Sequence, residues 1–296
     1  MIDVPEAFAR EISGRENASG RAWIDALPGL VDQALRQWEL TPSGAVMHGG
    51  VGVVVPVRRG DGTAAVLKIS FPHPGNVAEP KALAVWAGRG AVRLLENDAQ
   101  AFAMVLEQAS RGSLRDVPDA VERVVVAGRL NRRLAVAAPD DVPSLRVVAE
   151  GWAKEIESRH RRLRAPLAGR LVGRAVEACR HLAAEQPNLL VHGDMNFSNV
   201  LRSEREPWVV IDPKGWAGDP AYDAVYLLRD RWPSMAELVK TLSYQLGAFA
   251  EAAELDRERV MRWVQACAVK DALWSLEFGE SSERVSMNEA VAGIAC

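Results

Sequence analysis

Apolar positions along this chain repeat with two different periods, and the switch between them divides it. Leu30, Ala34, Leu35 and Trp38 fall on one face of a helical stretch, Leu30–Trp38. The period then shortens to two. Ala45–His48, Gly52–Val57 and Ala64–Ser70 read as strands, with Gly60-Asp61-Gly62 supplying the turn between the last two. Pro56 lacks the donor that a strand ladder needs, so it marks an edge or a bulge. A helix at Ala78–Trp86 follows, then strands at Val92–Leu95 and Ala101–Leu106. From about Asp116, spacings of three and four take over. They predict helices at Pro118–Val136, Ser144–Leu163 and Leu171–Ala184, then at Ala221–Leu228, Ser234–Ala250 and Arg257–Leu276. Ser234 and Glu237 make a capping box for one of these. The predicted class is α+β: five antiparallel strands and a helix in residues 1–106, a connecting segment at 107–112, and a mainly helical part over 113–296.

The run of helices is interrupted by LLVHGDMNFSNVLRSEREPWVVIDPKGWAGDPAYD, residues 189–223. Two apolar runs, Leu189–Val191 and Trp208–Ile211, each deliver a carboxylate at their end, Asp194 and Asp212. Asn199 stands five residues after Asp194. That ordered set suits phosphoryl transfer from a nucleotide. One Asp lies beside the attacking hydroxyl, while an Asn and a second Asp offer the hard oxygens that magnesium prefers. Alone, each would be an ordinary loop polar residue.

Residues His192 to Asp223 resemble the catalytic half of the aminoglycoside phosphotransferases, in particular their streptomycin 6-phosphotransferase and hydroxyurea phosphotransferase branch. The wording IDPKGWAGDPAYD carries the likeness most closely, and a looser similarity runs in the same order through most of the chain. The resemblance implies a protein-kinase-like fold with an N-terminal nucleotide-binding lobe, a hinge at Glu107–Gly112 and a helical C-terminal lobe. It implies Asp194 as the catalytic residue, Asn199 and Asp212 as magnesium ligands, and His192 as a brace for the loop. Asp219 would tie down the catalytic loop, and Asp223 would start or anchor the following helix.

Further along the same resemblance, Lys68 matches the lysine that pairs with nucleotide phosphates, and Glu79 its carboxylate partner. Strand alternation puts Lys68 on the face of Val66 and Ser70, where solvent would be the plain alternative. Gly50 and Gly52, in His48-Gly49-Gly50-Val51-Gly52, fall where kinases keep a loop over the phosphates; a plain hairpin turn explains them as well. Glu107 and Ala109 would pair with adenine through their backbones. ATP or GTP with Mg2+ are the implied cofactors.

Composition narrows the partners. A net charge of −3 over 296 residues, with no basic stripe, leaves no nucleic-acid footprint. Arg159–Arg164 is the one basic cluster and reads as the polar end of a surface helix. Three scattered cysteines suit reduced thiols and no metal site. No signal-like segment or membrane-length apolar run is present, so a cytoplasmic, monomeric enzyme without a membrane partner is expected. Asp271 to Cys296 holds five acids and one base. Trp274, Glu277 and Glu280 could share a face that receives a cationic small-molecule acceptor, a solvated acidic terminus being the alternative.

Overall fold

The computed structural model of the protein describes residues 2–227 and 235–294. Two compact units divide the chain. One runs to Ser110 and includes Ser203–Val209; the other comprises Arg111–Arg202 and the chain from Val210 onward.

In the first unit, helix α1 (Glu6–Gln37) is much longer than the stretch legible from its apolar residues. Its early part is mainly charged and small residues, so Phe8, Ile12 and Trp23 are isolated anchors rather than a pattern. A non-helical residue, Asn17 (φ 55°), kinks it. Its φ is positive with ψ at −125°, and asparagine is among the non-glycine residues enriched at positive φ. The buried side of α1 (Phe8, Ile12, Leu27, Val31) packs on a sheet face made by Val53, Val55, Val57, Leu67, Ile69 and Val105.

That sheet is antiparallel and has six strands, one more than expected. They are β1 (Thr41–Pro42), β2 (Met47–His48), β3 (Gly52–Arg58), β4 (Ala64–Ser70), β5 (Leu94–Asp98) and β6 (Ala103–Glu107), with helix α2 (Glu79–Trp86) inserted after β4. The order is β1-β3-β4-β6-β5, with β2 also beside β3. β1 pairs with Val57 and Arg58, and β2 with Val53 and Val54, so Pro56 falls in the gap between them. Its carbonyl accepts from Ser43 N–H on that side, and its missing donor faces the same gap. β5 begins two residues later than the apolar pattern places it. It is an edge strand whose Glu96-Asn97-Asp98 segment is polar, which hides it from a hydrophobic reading.

The second unit is built on helices α3 (Ala120–Leu134), α4 (Leu145–Arg162), α5 (Gly169–Ala184), α6 (Ala224–Leu227), α7 (Met235–Ala253), α8 (Arg257–Glu277) and α9 (Ser282–Gly293). α8 is the central one, packing against α4, α5, α7 and α9. Strands β7 (Leu189–Val191) and β10 (Trp216–Gly218) pair antiparallel, with Val191 opposite Trp216. The short β8 (Val200–Leu201) and β9 (Val209–Val210) flank the segment that returns to the first unit. A 3₁₀ turn, Pro220–Asp223, opens the helix expected from Ala221. Leu228 and the Ser234 member of the capping box lie outside the described residues. Tyr222 is fully buried and meets Trp263 edge-on at 5.1 Å, with Trp152 and Trp216 at 5.6 and 5.5 Å. These rings make a stiff floor beneath the loop that leaves β7. Among the described residues, no helix is long and apolar enough to cross a membrane.

Candidate active site

The sequence-derived residues fall into two groups, one in each unit. In the second unit, β7 ends at Val191 and hands the chain to His192-Gly193-Asp194. Gly193 has φ 81°, and a Cβ there would come within 2.9 Å of Lys214 Cβ, so the turn requires glycine. His192 is completely buried. Its Nε2 lies 2.9 Å from the Ile211 carbonyl, and its Nδ1 lies 3.2 Å from the Asp194 N–H. An acceptor on one side and a donor on the other select the neutral ring with its hydrogen on Nε2. The imidazole therefore joins the Asp194 turn to the residue before Asp212. Its position is that of a brace.

Asn199 completes the loop. Its Nδ2 donates to the Asp194 carbonyl at 2.9 Å, which leaves Oδ1 as its acceptor atom. Asn196 organises the approach by accepting from Ser198 and Asn199 N–H at 3.0 and 3.1 Å, the behaviour of a capping Asn. Ile211 N–H donates to the Asn199 carbonyl at 2.9 Å, setting the backbones of 199 and 211 side by side. Asp212 follows with φ 58°. Burial pushes the Asp194 carboxyl up to about 6; Lys214 opposes this, and the negative charge of Asp212 adds to it. The structure thus brings Asp194, Asn199 and Asp212 to one place, as two like charges and a neutral oxygen donor.

Two supporting aspartates exchange the roles expected of them. Asp223 is the one that ties down the loop of Asp194. Its Oδ1 accepts from Gly193 N–H at 2.7 Å and its Oδ2 from His192 N–H at 3.1 Å, and Asn131 Nδ2 donates to Oδ2 at 3.1 Å. Burial pushes Asp223 up to about 7, against these donors, which favour its charged form. Asp219 instead caps the 3₁₀ turn through Ala221 N–H at 3.0 Å. It is fixed to α8 by Arg259 Nε at 2.6 Å and Trp263 Nε1 at 2.7 Å. The reason is geometric. A short turn begins at Asp219 and needs a cap, whereas Asp223 at its end faces β7.

In the first unit, Lys68 sits on β4 between Val54 of β3 and Met104 of β6. It lies on the face opposite the α1 core, and its ammonium meets both oxygens of Glu79 at 2.6 and 2.7 Å. Lys68 is 8% exposed and Glu79 1%, so the lysine is buried rather than solvated. Gly52 packs against β4 so tightly that a Cβ would come within 2.6 Å of the Ile69 carbonyl. Glycine there serves strand packing. Gly50 is in open space, with its carbonyl accepting from Arg15 at 3.0 Å. Glu107 ends β6 with its N–H given to the Arg93 carbonyl at 2.9 Å, and Ala109 is half-buried two residues on.

Glu277 and Glu280 are engaged within the chain. Glu277 pairs with Arg159 at 3.2 Å and also with Arg162. Glu280 meets Arg284 at 2.9 Å and the Ser275 hydroxyl at 2.8 Å. Trp274 stacks on Phe278 with centroids 4.8 Å apart. The residues missed from sequence are Asn131, Arg259, Trp263 and Arg205, each of which has a partner 40 or more residues distant. No local periodicity reports contacts of that range. Asn196 did carry a signal, being a capping residue directly before a short turn.

The architecture defines a class, the protein-kinase-like fold. Choline kinase LicA from Streptococcus pneumoniae aligns with a TM-score of 0.57 at 12% identity, over 90% of this chain and 99% of that one. Macrolide 2'-phosphotransferase MphH from Brachybacterium faecium aligns with a TM-score of 0.54 at 18% identity, over 92% and 99%. These matches establish the fold. The sequence narrows it: residues 37–279 match the family described as aminoglycoside/hydroxyurea antibiotic resistance kinase. Streptomycin 6-kinase of Streptomyces glaucescens is 35% identical over 287 residues, 95% of this chain and 94% of that one. Hydroxyurea phosphotransferase of Kitasatospora aureofaciens is also 35% identical, over 95% and 82%. The chain belongs to the aminoglycoside/hydroxyurea antibiotic resistance kinase family.

Proposed function

We propose that the chain transfers the γ-phosphoryl group of ATP, with Mg2+, to a hydroxyl of a streptomycin-like aminoglycoside. The observation that carries the chemistry is the loop that holds Asp194 beside Asn199 and Asp212 through His192 and Asp223. Asp194 accepts a hydrogen bond from the acceptor hydroxyl and aligns its oxygen. The bond from that oxygen to the γ-phosphorus forms as the bond from the γ-phosphorus to the β,γ-bridging oxygen breaks, and the hydroxyl proton passes to Asp194. Lys68, held by Glu79, takes the nucleotide phosphates, and the Glu107–Ala109 backbone takes the adenine.

The donor set fits a hard dication. Asn199 Oδ1 and the Asp212 carboxylate are oxygen ligands, and the charge of Asp212 already weighs on Asp194. Among the described residues, no group of three or more His, Cys, Asp or Glu could hold a metal by itself. Mg2+ commonly takes one or two protein ligands and completes its shell with phosphates and water. When bound, it would supply neutralisation of the phosphate charge.

For the acceptor, the support is the 35% identity to a streptomycin 6-kinase along 95% of the chain. Glu277 and Glu280 are not assigned to acceptor binding, because their carboxylates are already paired. Hydroxyurea is the second reading, supported by equal identity to a hydroxyurea phosphotransferase. The test is ADP release with Mg2+ and ATP across streptomycin, other aminoglycosides, hydroxyurea and neutral sugar alcohols. Turnover confined to streptomycin-like acceptors is expected. Turnover with hydroxyurea alone selects the second reading, and turnover with none of them overturns the acceptor assignment.

A further inference from the structure

Arg205 belongs to Ser203–Val209, the segment that counts with the first unit although it lies in sequence between Asn199 and Asp212. Its guanidinium is saturated. Nε and Nη2 form a fork on the two oxygens of Glu107, at 3.1 and 2.9 Å. Nη2 also donates to the Ala91 carbonyl at 3.0 Å, and Nη1 donates to the Gly88 carbonyl and to Glu206 Oε1, the latter at 2.7 Å. All five N–H donors of the side chain are thereby used. Arg93 N–H adds a bond to Glu107 Oε2 at 3.0 Å, and Glu206 Oε2 receives Gly90 N–H at 3.3 Å. Burial alone would raise the Glu107 carboxyl, but Arg205 and Arg93 hold it below its ordinary value. The Arg205 and Glu107 side chains are only 23% and 20% exposed, unlike an ordinary solvated ion pair. One planar fork therefore fixes the end of β6 and the Gly88–Ala91 turn together.

We propose that Arg205 is the positioning residue for the nucleotide base: it immobilises Glu107, and with it the Glu107–Ala109 backbone that adenine meets. The inference rests on the proposed use of ATP. Lysine cannot substitute, since it has three donors and no planar fork.

The test combines titration calorimetry of MgATP with hydrogen exchange read on peptides covering 107–112 and 64–70. Wild type should bind MgATP and protect both peptides. Arg205→Ala and Arg205→Lys should each raise the dissociation constant about tenfold. At saturating MgATP they should lose protection of 107–112 and keep that of 64–70. Glu107→Gln retains side-chain volume and an acceptor oxygen, and should shift the same way by a smaller factor; it serves if both Arg205 variants fail to fold. A dissociation constant changed less than threefold in a folded variant overturns the proposal, as does equal loss of protection at both peptides, which marks a merely structural role. Absence of MgATP binding in wild type overturns the ATP reading itself, and is seen without any variant.

Discussion

Replacing Lys68 with Met removes the ammonium that both oxygens of Glu79 meet, at 2.6 and 2.7 Å, and leaves nearly the same volume. Glu79 is 1% exposed, so its carboxylate then loses the Lys68 ammonium without gaining water. Removing one partner of a buried ion pair costs about 3–5 kcal/mol, a large share of the roughly 5–15 kcal/mol that separates folded from unfolded chains. Glu79 can relieve part of that cost by taking up a proton. In Lys68→Met its folded-state pKa should therefore lie above the unfolded one, and the folded form then binds the proton more tightly. Stability is retained below the unfolded pKa and lost as pH rises through the folded one. The penalty should accordingly be larger at about pH 8 than at about pH 5, by about 1.4 kcal/mol for each pH unit titrated. Adding Glu79→Gln should remove the pH dependence and recover most of the loss, since a neutral amide does not need the ammonium. The assay is urea unfolding of the four proteins at both pH values. A Lys68→Met penalty below 1 kcal/mol, or one independent of pH, would show that buried Glu79 does not depend on the ammonium.

Variants of the Asp194 loop test it and the proposed Mg2+ ligands. Asp194→Ala should lower turnover about 10²–10⁴-fold while leaving MgATP affinity within twofold by calorimetry. Asp212→Ala should abolish the magnesium dependence of nucleotide binding, and Asn199→Ala should weaken it; a normal magnesium titration in Asp212→Ala would remove that residue from the metal site. In the proposed reaction Asp194 accepts a proton and must be a carboxylate, while burial, opposed by Lys214 and aided by Asp212, pushes it up to about 6. Acceptor kcat/KM should therefore fall as pH drops through about 6, and Lys214→Met should move that limb upward. Gly193→Ala places a Cβ 2.9 Å from that of Lys214 at φ 81°, so turnover should fall through a displaced Asp194 while MgATP binding persists.

Elements with short-range signatures are legible in the sequence. Alternation along Val66–Ser70 puts Lys68 opposite Leu67 and Ile69, and the structure separates them in that way, with the apolar pair against α1. His192, Asp194, Asn199 and Asp212 are positioned by strands whose apolar residues announce them. Other features depend on contacts that no local pattern encodes. The first half of α1 is helical because Phe8 and Ile12 find a sheet to cover, not because its own periodicity is strong. The exchange between Asp219 and Asp223 turns on which carboxylate faces the His192 and Gly193 amides, and the two stand four residues apart in the same motif. Glu277 and Glu280 read as an acidic face, since their arginine partners include Arg159 and Arg162, more than a hundred residues upstream.

The central claim is phosphoryl transfer to a hydroxyl through Asp194. It is tested most directly by incubating streptomycin with Mg2+, ATP and either wild type or Asp194→Ala, then following the products by phosphorus NMR. Wild type should yield ADP and a phosphomonoester whose phosphorus couples to a single proton of the acceptor ring, and the variant should yield neither at a comparable rate. Phosphomonoester formation by Asp194→Ala within tenfold of wild type would contradict the account.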